Sequence, residues 1–273
     1  MNEATAMNQN VIEGSVLITG ASAGIGATYA QRFAARGHDL VLVARDVARL
    51  EEIAAGLAKE YGVQVEVLPA DLTNREQLAR VERRLQADDR IGALVNNAGM
   101  GAPERFVGSD VETLDRVVQL NITAVMRLAG AVLPAFKARG RGTLINIASV
   151  LALAPELFSG VYSGTKAFVL NFSQSLQQEL AGSGVHVQAV LPGATLTEIW
   201  ARAGKKIEEL PTHMVMPVDA MVDAALAGLD RGESITIPPL HDETQWQALQ
   251  AARVAMLPNL STDRPAVRYL AAV

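Results

Sequence analysis

Residues 16–26 read Val-Leu-Ile-Thr-Gly-Ala-Ser-Ala-Gly-Ile-Gly, and this stretch decides the fold. Its first four residues form a short apolar run rich in β-branched side chains, which predicts a buried strand. A glycine-rich turn follows, and then an amphipathic helical pattern that extends to about Arg36. Such a turn lets a backbone approach a pyrophosphate while the helix N-terminus offers unpaired amides to the anion. The stretch therefore favours a nucleotide-binding βα unit over a chance glycine-rich turn.

The rest of the chain repeats the alternation of strand and helix. Further strands are predicted at Leu40–Val43, Gln64–Leu68, Ala93–Val95, Gly142–Ala148, Val185–Val190 and Ser234–Ile237. Helices are predicted at Val47–Tyr61, Pro217–Leu229 and Gln245–Met256. Two more begin at capping boxes, one at Thr73–Glu76 and one at Ser109–Glu112, and the second of these extends to about Lys137. A further helix carries Tyr162 and Lys166 and ends at about Ala181. This order predicts an α/β fold, a doubly wound seven-stranded parallel sheet with helices on both faces. Ligands bind beyond the carboxyl ends of strands in such sheets.

Composition narrows the class of protein. Of 273 residues, 49% are hydrophobic and 19% are charged, which predicts a globular core, and a net charge of -5 gives no sign of nucleic-acid binding. The absence of cysteine removes disulfides and thiolate metal sites, and the four dispersed histidines show no metal spacing. We expect no metal. The N-terminus lacks the pattern of a signal peptide, and the longest uncharged run is too short to span a bilayer. We expect a cytoplasmic protein that does not engage a membrane.

No repeat or linker interrupts the chain. We therefore predict one Rossmann-fold domain over residues 14–273, carrying both coenzyme binding and catalysis, after a flexible N-terminal extension at residues 1–13.

Tyr162 and Lys166 form a candidate acid–base pair. Residues four apart on a helix share one face. An ammonium group beside a phenol is expected to lower the phenol pKa from about 10 towards neutrality, giving a proton donor and acceptor usable at physiological pH. The spacing alone also arises by chance. Ser149, which ends the fifth predicted strand, is the expected partner of this pair.

The ordered set of motifs resembles the short-chain dehydrogenase/reductase family. Thr19–Gly26 looks like the coenzyme signature of that family, and further matches follow in its order and spacing over about Val16–Ile237. These are Asn96-Asn97-Ala98-Gly99, Asn121, Ser149, Tyr162 with Lys166, and Pro192-Gly193 with Thr197. The resemblance implies an NAD(P)-dependent oxidoreductase that moves a hydride between a nicotinamide and a ketone, an aldehyde or the corresponding alcohol.

The resemblance also implies roles for single residues. Tyr162 would exchange the proton, Ser149 would hydrogen-bond the same substrate oxygen, and Lys166 would bind the nicotinamide ribose. Asn121 would hold a water that links Lys166 to solvent, or else serve as a structural asparagine paired to the backbone at a helix irregularity. The implied coenzyme-binding residues are Gly20, Ser22, Ala23, Gly24, Ile25, Gly26, Arg45, Asp71, Leu72, Asn97, Ala98, Gly99, Tyr162, Lys166, Pro192, Gly193, Thr195 and Thr197.

Two of these coenzyme contacts have an alternative. Asp71 would contact the adenine ring with help from the Leu72 backbone, or else it is a turn carboxylate at a helix entry. Thr197 and the backbone near Thr195 would fix the nicotinamide carboxamide, or else Thr197 caps a short helix.

The end of the second strand bears on the choice of coenzyme. NAD-preferring members of the family tend to carry Asp where this chain has Ala44, and Arg45 comes next. An arginine there accommodates a 2′-phosphate, so NADP(H) is favoured over NAD(H). Against this, Asp46 could reach a ribose hydroxyl, Ala23 replaces a basic residue found in some NADP-preferring members, and Arg45 could be a solvated loop residue.

The substrate is expected to be a small, largely apolar carbonyl compound or alcohol. Candidate wall residues are Met100, Leu151, Leu153, Phe158, Ile199, Trp200 and Met214, although each could belong to the core. Ala194–Met216, with Gly204, Lys205 and Lys206, is interpreted as a lid or as a solvated face. The resemblance implies a homodimer or homotetramer. A catalytically silent dinucleotide sensor or scaffold is the alternative function, against which the set Ser149, Tyr162 and Lys166 argues.

Overall fold

The seven predicted strands form one parallel sheet in a computed structural model that describes residues 12–198, 207 and 210–270. The strand order is β3-β2-β1-β4-β5-β6-β7, which confirms the doubly wound fold. The strands are β1 Ser15–Thr19, β2 Leu40–Ala44, β3 Val65–Pro69, β4 Ile91–Asn96, β5 Gly142–Ile147, β6 Val185–Val190 and β7 Ile235–Thr236. The order reverses between β1 and β4, and this is where such sheets bind ligands.

The helices lie on both faces of the sheet. Those of the described residues are α1 Gly24–Ala35, α2 Val47–Tyr61, α3 Arg75–Ala87, α4 Val111–Val118, α5 Val125–Ala138, α6 Gly160–Glu179, α7 Val218–Asp230 and α8 Glu243–Met256. Because side chains alternate along a strand, Val16 and Ile18 pack in a cluster with α1, α2 and α7, whereas Leu17 packs in a second cluster with α3, α5 and α6. Both faces of the sheet are therefore buried.

Two helices begin one residue later than their predicted capping boxes require. Asn74 and Asp110 are the N-caps, and the side chain of each accepts two backbone N–H bonds of its helix. Thr73 and Ser109 are not caps, so this part of the prediction is wrong. Asn and Asp cap helices at least as well as Thr and Ser, and the Thr73 hydroxyl donates instead to Asp71.

The long predicted helix is interrupted by a π-helical turn. Gln119–Ala124 forms this turn between α4 and α5, and it carries Asn121. The continuous stretch Val111–Ala138 is long and apolar enough to cross a bilayer, since an 18-residue window within it has a mean hydropathy of 1.4, but half of that window is buried in the fold. A core helix passes the same test, so the stretch is weak evidence for a membrane span.

Two buried asparagines pair inside the sheet. Asn96 of β4 lies opposite Asn146 of β5, and its Nδ2 donates to Asn146 Oδ1 at 3.0 Å. Asn146 Nδ2 in turn donates to Ser173 Oγ of α6 at 2.9 Å. Asn96 is 3% exposed and Asn146 is fully buried, so this short polar chain crosses an otherwise apolar layer.

The chain divides into two compact units, with the boundary between Pro238 and Pro239. The first unit contains all seven strands. The second contains α8, and none of its residues from Pro239 to Leu270 is buried. The predicted boundaries of a single domain stay a prediction, and most of the predicted N-terminal extension lies outside the described residues.

Candidate active site

The glycine turn between β1 and α1 forms a backbone cradle. Gly20 and Gly24 have φ angles of +67° and +52°, which favour glycine, and a Cβ on Gly26 would lie 2.3 Å from the Gly20 carbonyl oxygen. The N-cap of α1 is Ala23, which has no side chain able to cap the helix. The first amides of α1 are therefore left for another acceptor, as an anion site at a helix N-terminus requires.

Asn97 ties the ends of β1 and β4 together beside this cradle. Its Nδ2 donates to the Thr19 and Gly20 carbonyl oxygens at 2.8 and 3.3 Å. The Thr19 hydroxyl accepts from the backbone N–H groups of Asn97 and Ala98, each at 3.0 Å. The motif that follows β4 is thus fixed against the glycine turn, at the reversal point of the strand order.

Arg45 lies at the carboxyl end of β2 with its side chain exposed. Among the described residues it has neither a hydrogen-bonding side-chain partner nor an ion pair. Asp46, which could have reached a ribose hydroxyl, accepts a hydrogen bond from Arg49 N at 3.1 Å and caps α2. A glycine cradle with free amides and a nearby unpaired guanidinium fits a dinucleotide that carries an additional phosphate.

Asp71 has the geometry of a turn carboxylate. Its Oδ1 accepts from the backbone N–H and the hydroxyl of Thr73 at 2.9 and 2.7 Å, directly before α3. This is the alternative that the sequence left open. Leu72 beside it is a core residue at 5% exposure. Neither Arg45 nor Asp71 makes a hydrogen bond to Ser149, Tyr162 or Lys166. The predicted site residues therefore fall into two groups, one at the ends of β2 and β3 and one around Tyr162.

Ser149, Tyr162 and Lys166 come together at the carboxyl end of β5. Ser149 interacts with the Tyr162 phenol so as to lower its pKa, and Ser149 Oγ accepts from Leu151 N at 3.1 Å. Lys166, which is 6% exposed, donates from Nζ to the Ile147 carbonyl oxygen at 2.8 Å. The same Nζ lies 5.7 Å from the centroid of the Tyr162 ring. The strand end and the first turns of α6 therefore place all three groups around one point.

The pKa of Tyr162 is shifted in the direction opposite to the one expected from the sequence. Burial raises the pKa of Tyr162 to about 12, and the interaction with Ser149 acts in the opposite direction. Burial lowers the pKa of Lys166 to about 8. The expected lowering of the Tyr162 pKa by Lys166 is therefore wrong for this geometry, because desolvation disfavours both charged forms.

Asn121 joins three segments around the catalytic helix. Its Oδ1 accepts from Met100 N and its Nδ2 donates to Met100 O, both at 3.0 Å. Nδ2 also donates to Thr165 Oγ1 at 3.1 Å, and that hydroxyl donates to the Tyr162 carbonyl oxygen at 2.7 Å. The side chain is thus paired to backbone at a helix irregularity, which is the second of the two predicted readings. π-turns are frequent at functional sites.

Gly99 lies close to the side chains of Asn121 and Lys166. A Cβ on Gly99 would lie 3.3 Å from Asn121 Oδ1 and 3.6 Å from Lys166 Nζ. Gly99 is therefore the place where three segments meet, namely the Asn97–Gly99 motif, the π-turn and α6. Sequence reasoning assigned no role to Thr165, although it lies within the Tyr162–Lys166 stretch. Its partner Asn121 is 44 positions away, and no spacing rule connects two residues that far apart.

The segment after β6 lies against the glycine turn. Pro192 O accepts from Val150 N at 3.0 Å, which joins this segment to the loop that carries Ser149. The Thr195 hydroxyl donates to Gly193 O at 3.1 Å. The Thr197 hydroxyl donates to Thr195 O at 3.4 Å, and the residues that a cap at Thr197 would serve lie outside the described residues, so the capping alternative stays open.

The outer end of this segment is tied to α2. The Arg49 guanidinium pairs with both carboxylate oxygens of Glu198, with one N–O distance of 3.0 Å. The two residues are 149 positions apart, and no local pattern in the sequence signals their contact.

The loops that follow β4, β5 and β6 carry exposed apolar side chains at the edge of the sheet where the site lies. Phe158 packs edge-to-face on Tyr162, with ring centroids 5.8 Å apart. Large apolar side chains with at least 40% exposure on these loops are Phe106, Val107, Leu153, Leu157, Leu196 and Met214. Of the predicted wall and lid residues, Ile199, Trp200, Gly204, Lys205 and Lys206 lie outside the described residues. Within the described ranges no three His, Asp or Glu side chains are placed to hold a metal ion.

Comparisons with known proteins identify the family of this chain. The family model described as short chain dehydrogenase matches residues 14–208. The very-long-chain 3-oxoacyl-CoA reductase of Anas platyrhynchos is 34% identical over 201 residues, which cover 72% of this chain and 64% of that protein. The chain thus spans less than two thirds of the length of this curated relative.

Two solved structures are similar over nearly the whole chain. A short-chain dehydrogenase from Sphingobium yanoikuyae in complex with NADPH is 55% identical, with a TM-score of 0.92 over 94% of this chain and all of that chain. A bulky-bulky ketone specific alcohol dehydrogenase from Comamonas testosteroni is 48% identical, with a TM-score of 0.88 over 95% of this chain and all of that chain. The chain therefore belongs to the short-chain dehydrogenase/reductase family of oxidoreductases, which act on CH–OH and C=O groups.

Proposed function

We propose that this protein is an NADPH-dependent reductase of ketones, able to run in reverse as an alcohol dehydrogenase, with Tyr162 as the general acid and base. The observation that carries the proposal is the buried Lys166 ammonium, held by the Ile147 carbonyl 5.7 Å from the centroid of the Tyr162 ring, with Ser149 acting on the same phenol and a glycine cradle for a dinucleotide at the same edge of the sheet. A binding protein without chemistry has no need of this set of side chains.

The bound coenzyme would supply the hydride. Reduction of a carbonyl leaves negative charge on its oxygen, so a proton donor must stand beside that oxygen. Tyr162 fills this role, and the Ser149 hydroxyl donates a hydrogen bond to the same oxygen as charge develops. A pKa of about 12 keeps the phenol protonated at neutral pH, which is the form that reduction requires. Alcohol oxidation requires the phenolate and is therefore favoured at alkaline pH.

Lys166 and Asn121 support this proton transfer. The Lys166 ammonium is anchored by the Ile147 carbonyl and keeps further N–H donors for the ribose hydroxyls of the coenzyme. Asn121 uses its side chain to hold the Met100 backbone and Thr165, so any water on the path from Lys166 to solvent would be held by other groups, such as the backbone of the π-turn.

The preference for NADPH rests on Arg45. Its side chain is exposed at the carboxyl end of β2, the strand beside β1, and a 2′-phosphate offers it a charge-assisted hydrogen bond. The engagement of Asp46 as a helix cap supports this assignment, since its carboxylate would repel that phosphate if it turned towards it. The Sphingobium yanoikuyae relative is named with NADPH.

The substrate class proposed is a ketone with bulky apolar groups. Exposed leucine, valine, methionine and phenylalanine side chains lie on the three loops that follow β4, β5 and β6, at the edge of the sheet that carries Ser149, and such surface favours apolar ligands. The Comamonas testosteroni relative is named for bulky-bulky ketones, and the curated relative is named as a reductase of 3-oxoacyl-CoA.

The test is a screen for NADPH oxidation over ketones graded by size and polarity, with NADH in parallel. We expect turnover of ketones that carry apolar groups on both sides of the carbonyl, and faster turnover with NADPH than with NADH. Tight NADPH binding without turnover of any carbonyl compound would favour the sensor or scaffold instead.

A further inference from the structure

Residues 194–198 pass the glycine turn at Gly24, and we name this segment the strap. At its inner end two backbone hydrogen bonds of 3.0 and 2.9 Å join it to Met216. At its outer end Glu198 pairs with Arg49, in the first turn of α2. The strap is therefore fixed at both ends to different parts of the fold.

The middle of the strap lies over the glycine turn. Thr197 Cγ2 and Cβ are 3.0 and 3.1 Å from the point that a Cβ on Gly24 would occupy. Gly24 is the first residue of α1, whose free amides are the anion site described above. Under the proposed function, the coenzyme phosphates bind at this turn, so coenzyme must pass the strap to enter or leave.

We propose that Arg49 and Glu198 are positioning residues for the coenzyme, whose ion pair holds the strap over the bound dinucleotide and slows its release. This inference rests on the proposed function. Both oxygens of the Glu198 carboxylate are paired with the guanidinium, so Arg49 acts on the strap rather than on a 2′-phosphate. The pair therefore retains NADPH and NADH alike, in contrast to Arg45.

The size of the effect follows from the exposure of the pair. The Arg49 and Glu198 side chains are 40% and 45% exposed. A pair in this range contributes modestly, and we expect its loss to speed coenzyme release about two- to fivefold. Salt screens exposed charges, so high ionic strength should mimic the loss in the wild type and should have little further effect in a variant that lacks the pair.

The experiment measures release of NADPH and of NADH by stopped-flow displacement. Glu198→Gln, Arg49→Gln and the double variant are compared with the wild type at low and high salt. We expect each single variant to release both coenzymes about two- to fivefold faster, and the double variant to be no faster than the singles. Added salt should bring the wild type to the rate of Glu198→Gln.

Asp230→Asn is the matched control. It breaks the Arg36–Asp230 ion pair, which is also bidentate and similarly exposed at 37% and 49%, but which joins the ends of α1 and α7 away from the strap. Coenzyme release from this variant should equal that of the wild type at each salt concentration.

Three results would overturn the inference. Release unchanged in both single variants would show that the ion pair does not hold the strap. Loss of NADPH binding alone in Arg49→Gln, with Glu198→Gln unaffected, would make Arg49 a phosphate ligand. A wild type that binds neither coenzyme would refute the proposed function itself, and a fluorescence titration of the wild type with each coenzyme before the displacement experiment distinguishes that result from the other two.

Discussion

Lys166→Met should change how stability depends on pH. Lys166 is 6% exposed, and burial lowers the pKa of its ammonium group to about 8 from 10.5. The unfolded chain therefore binds this proton more tightly than the folded chain. The cost of burying the charge is fully present below about pH 8 and is lost as the pH rises from there to about 10.5. Methionine fills a similar volume and carries no charge.

The magnitude follows from the two pKa values. Between about pH 7 and about pH 9.5, the free energy of unfolding of the wild type should rise by about 2 kcal/mol relative to Lys166→Met. The variant also loses the hydrogen bond to the Ile147 carbonyl and leaves that oxygen unpaired, at a cost of about 1–3 kcal/mol. Because this second cost does not depend on pH, the slope of the difference isolates the charge.

Urea denaturation of both proteins, followed by circular dichroism without added coenzyme, measures this difference at each pH. Lys59→Met is the control, since Lys59 is exposed on α2 and little charge burial can be relieved there. A difference between the wild type and Lys166→Met that stays flat from about pH 7 to about pH 9.5 would refute the reasoning, because the Lys166 ammonium would then be as well solvated in the folded as in the unfolded chain.

Three further variants test the rest of the site. Tyr162→Phe removes the proton donor, so kcat for ketone reduction should fall at least about 100-fold while the Kd for NADPH, measured by fluorescence titration, stays within about twofold. Arg45→Ala should weaken NADPH about ten- to hundredfold and spare NADH in the same titration, and equal loss of both would contradict the assignment. Asn121→Ala unpairs the Met100 backbone and should lower the free energy of unfolding by about 1–3 kcal/mol in urea, whereas an unchanged midpoint would mean that water replaces the lost amide.

Elements with local signals at both ends could be predicted from the sequence. The bounds of α2 are those predicted, because Asp46 caps its start and Gly62, with a φ of 72°, ends it. β7 was expected over four residues and has two, since its length depends on pairing with Ala189 and Val190 of β6. Pairing across a sheet leaves no mark within the strand itself.

In the site, too, residues within local motifs could be predicted from the sequence, whereas contacts between distant segments could not. The strand ends and the order of the motifs located Ser149 and Tyr162, because a motif is a local pattern. The contact between Arg49 and Glu198 and that between Asn121 and Thr165 depend on how distant segments fold together, so no spacing could reveal them. The cytoplasmic location, the homo-oligomer and the coenzyme contacts of single residues stay predictions.

The paired asparagines of β4 and β5 act as a register lock. Both strands are otherwise nearly continuous apolar runs, and a slip of two residues would keep the same side chains on each face. Such a slip would separate Asn96 from Asn146 and leave buried amides without partners, at about 1–3 kcal/mol for each group. One register of β4 and β5 is thereby favoured over the registers shifted by two residues. This register sets the positions of Asn97 and Ser149 relative to each other at the edge of the sheet. Two amides buried beneath the site thus set the spacing at which its reacting groups meet.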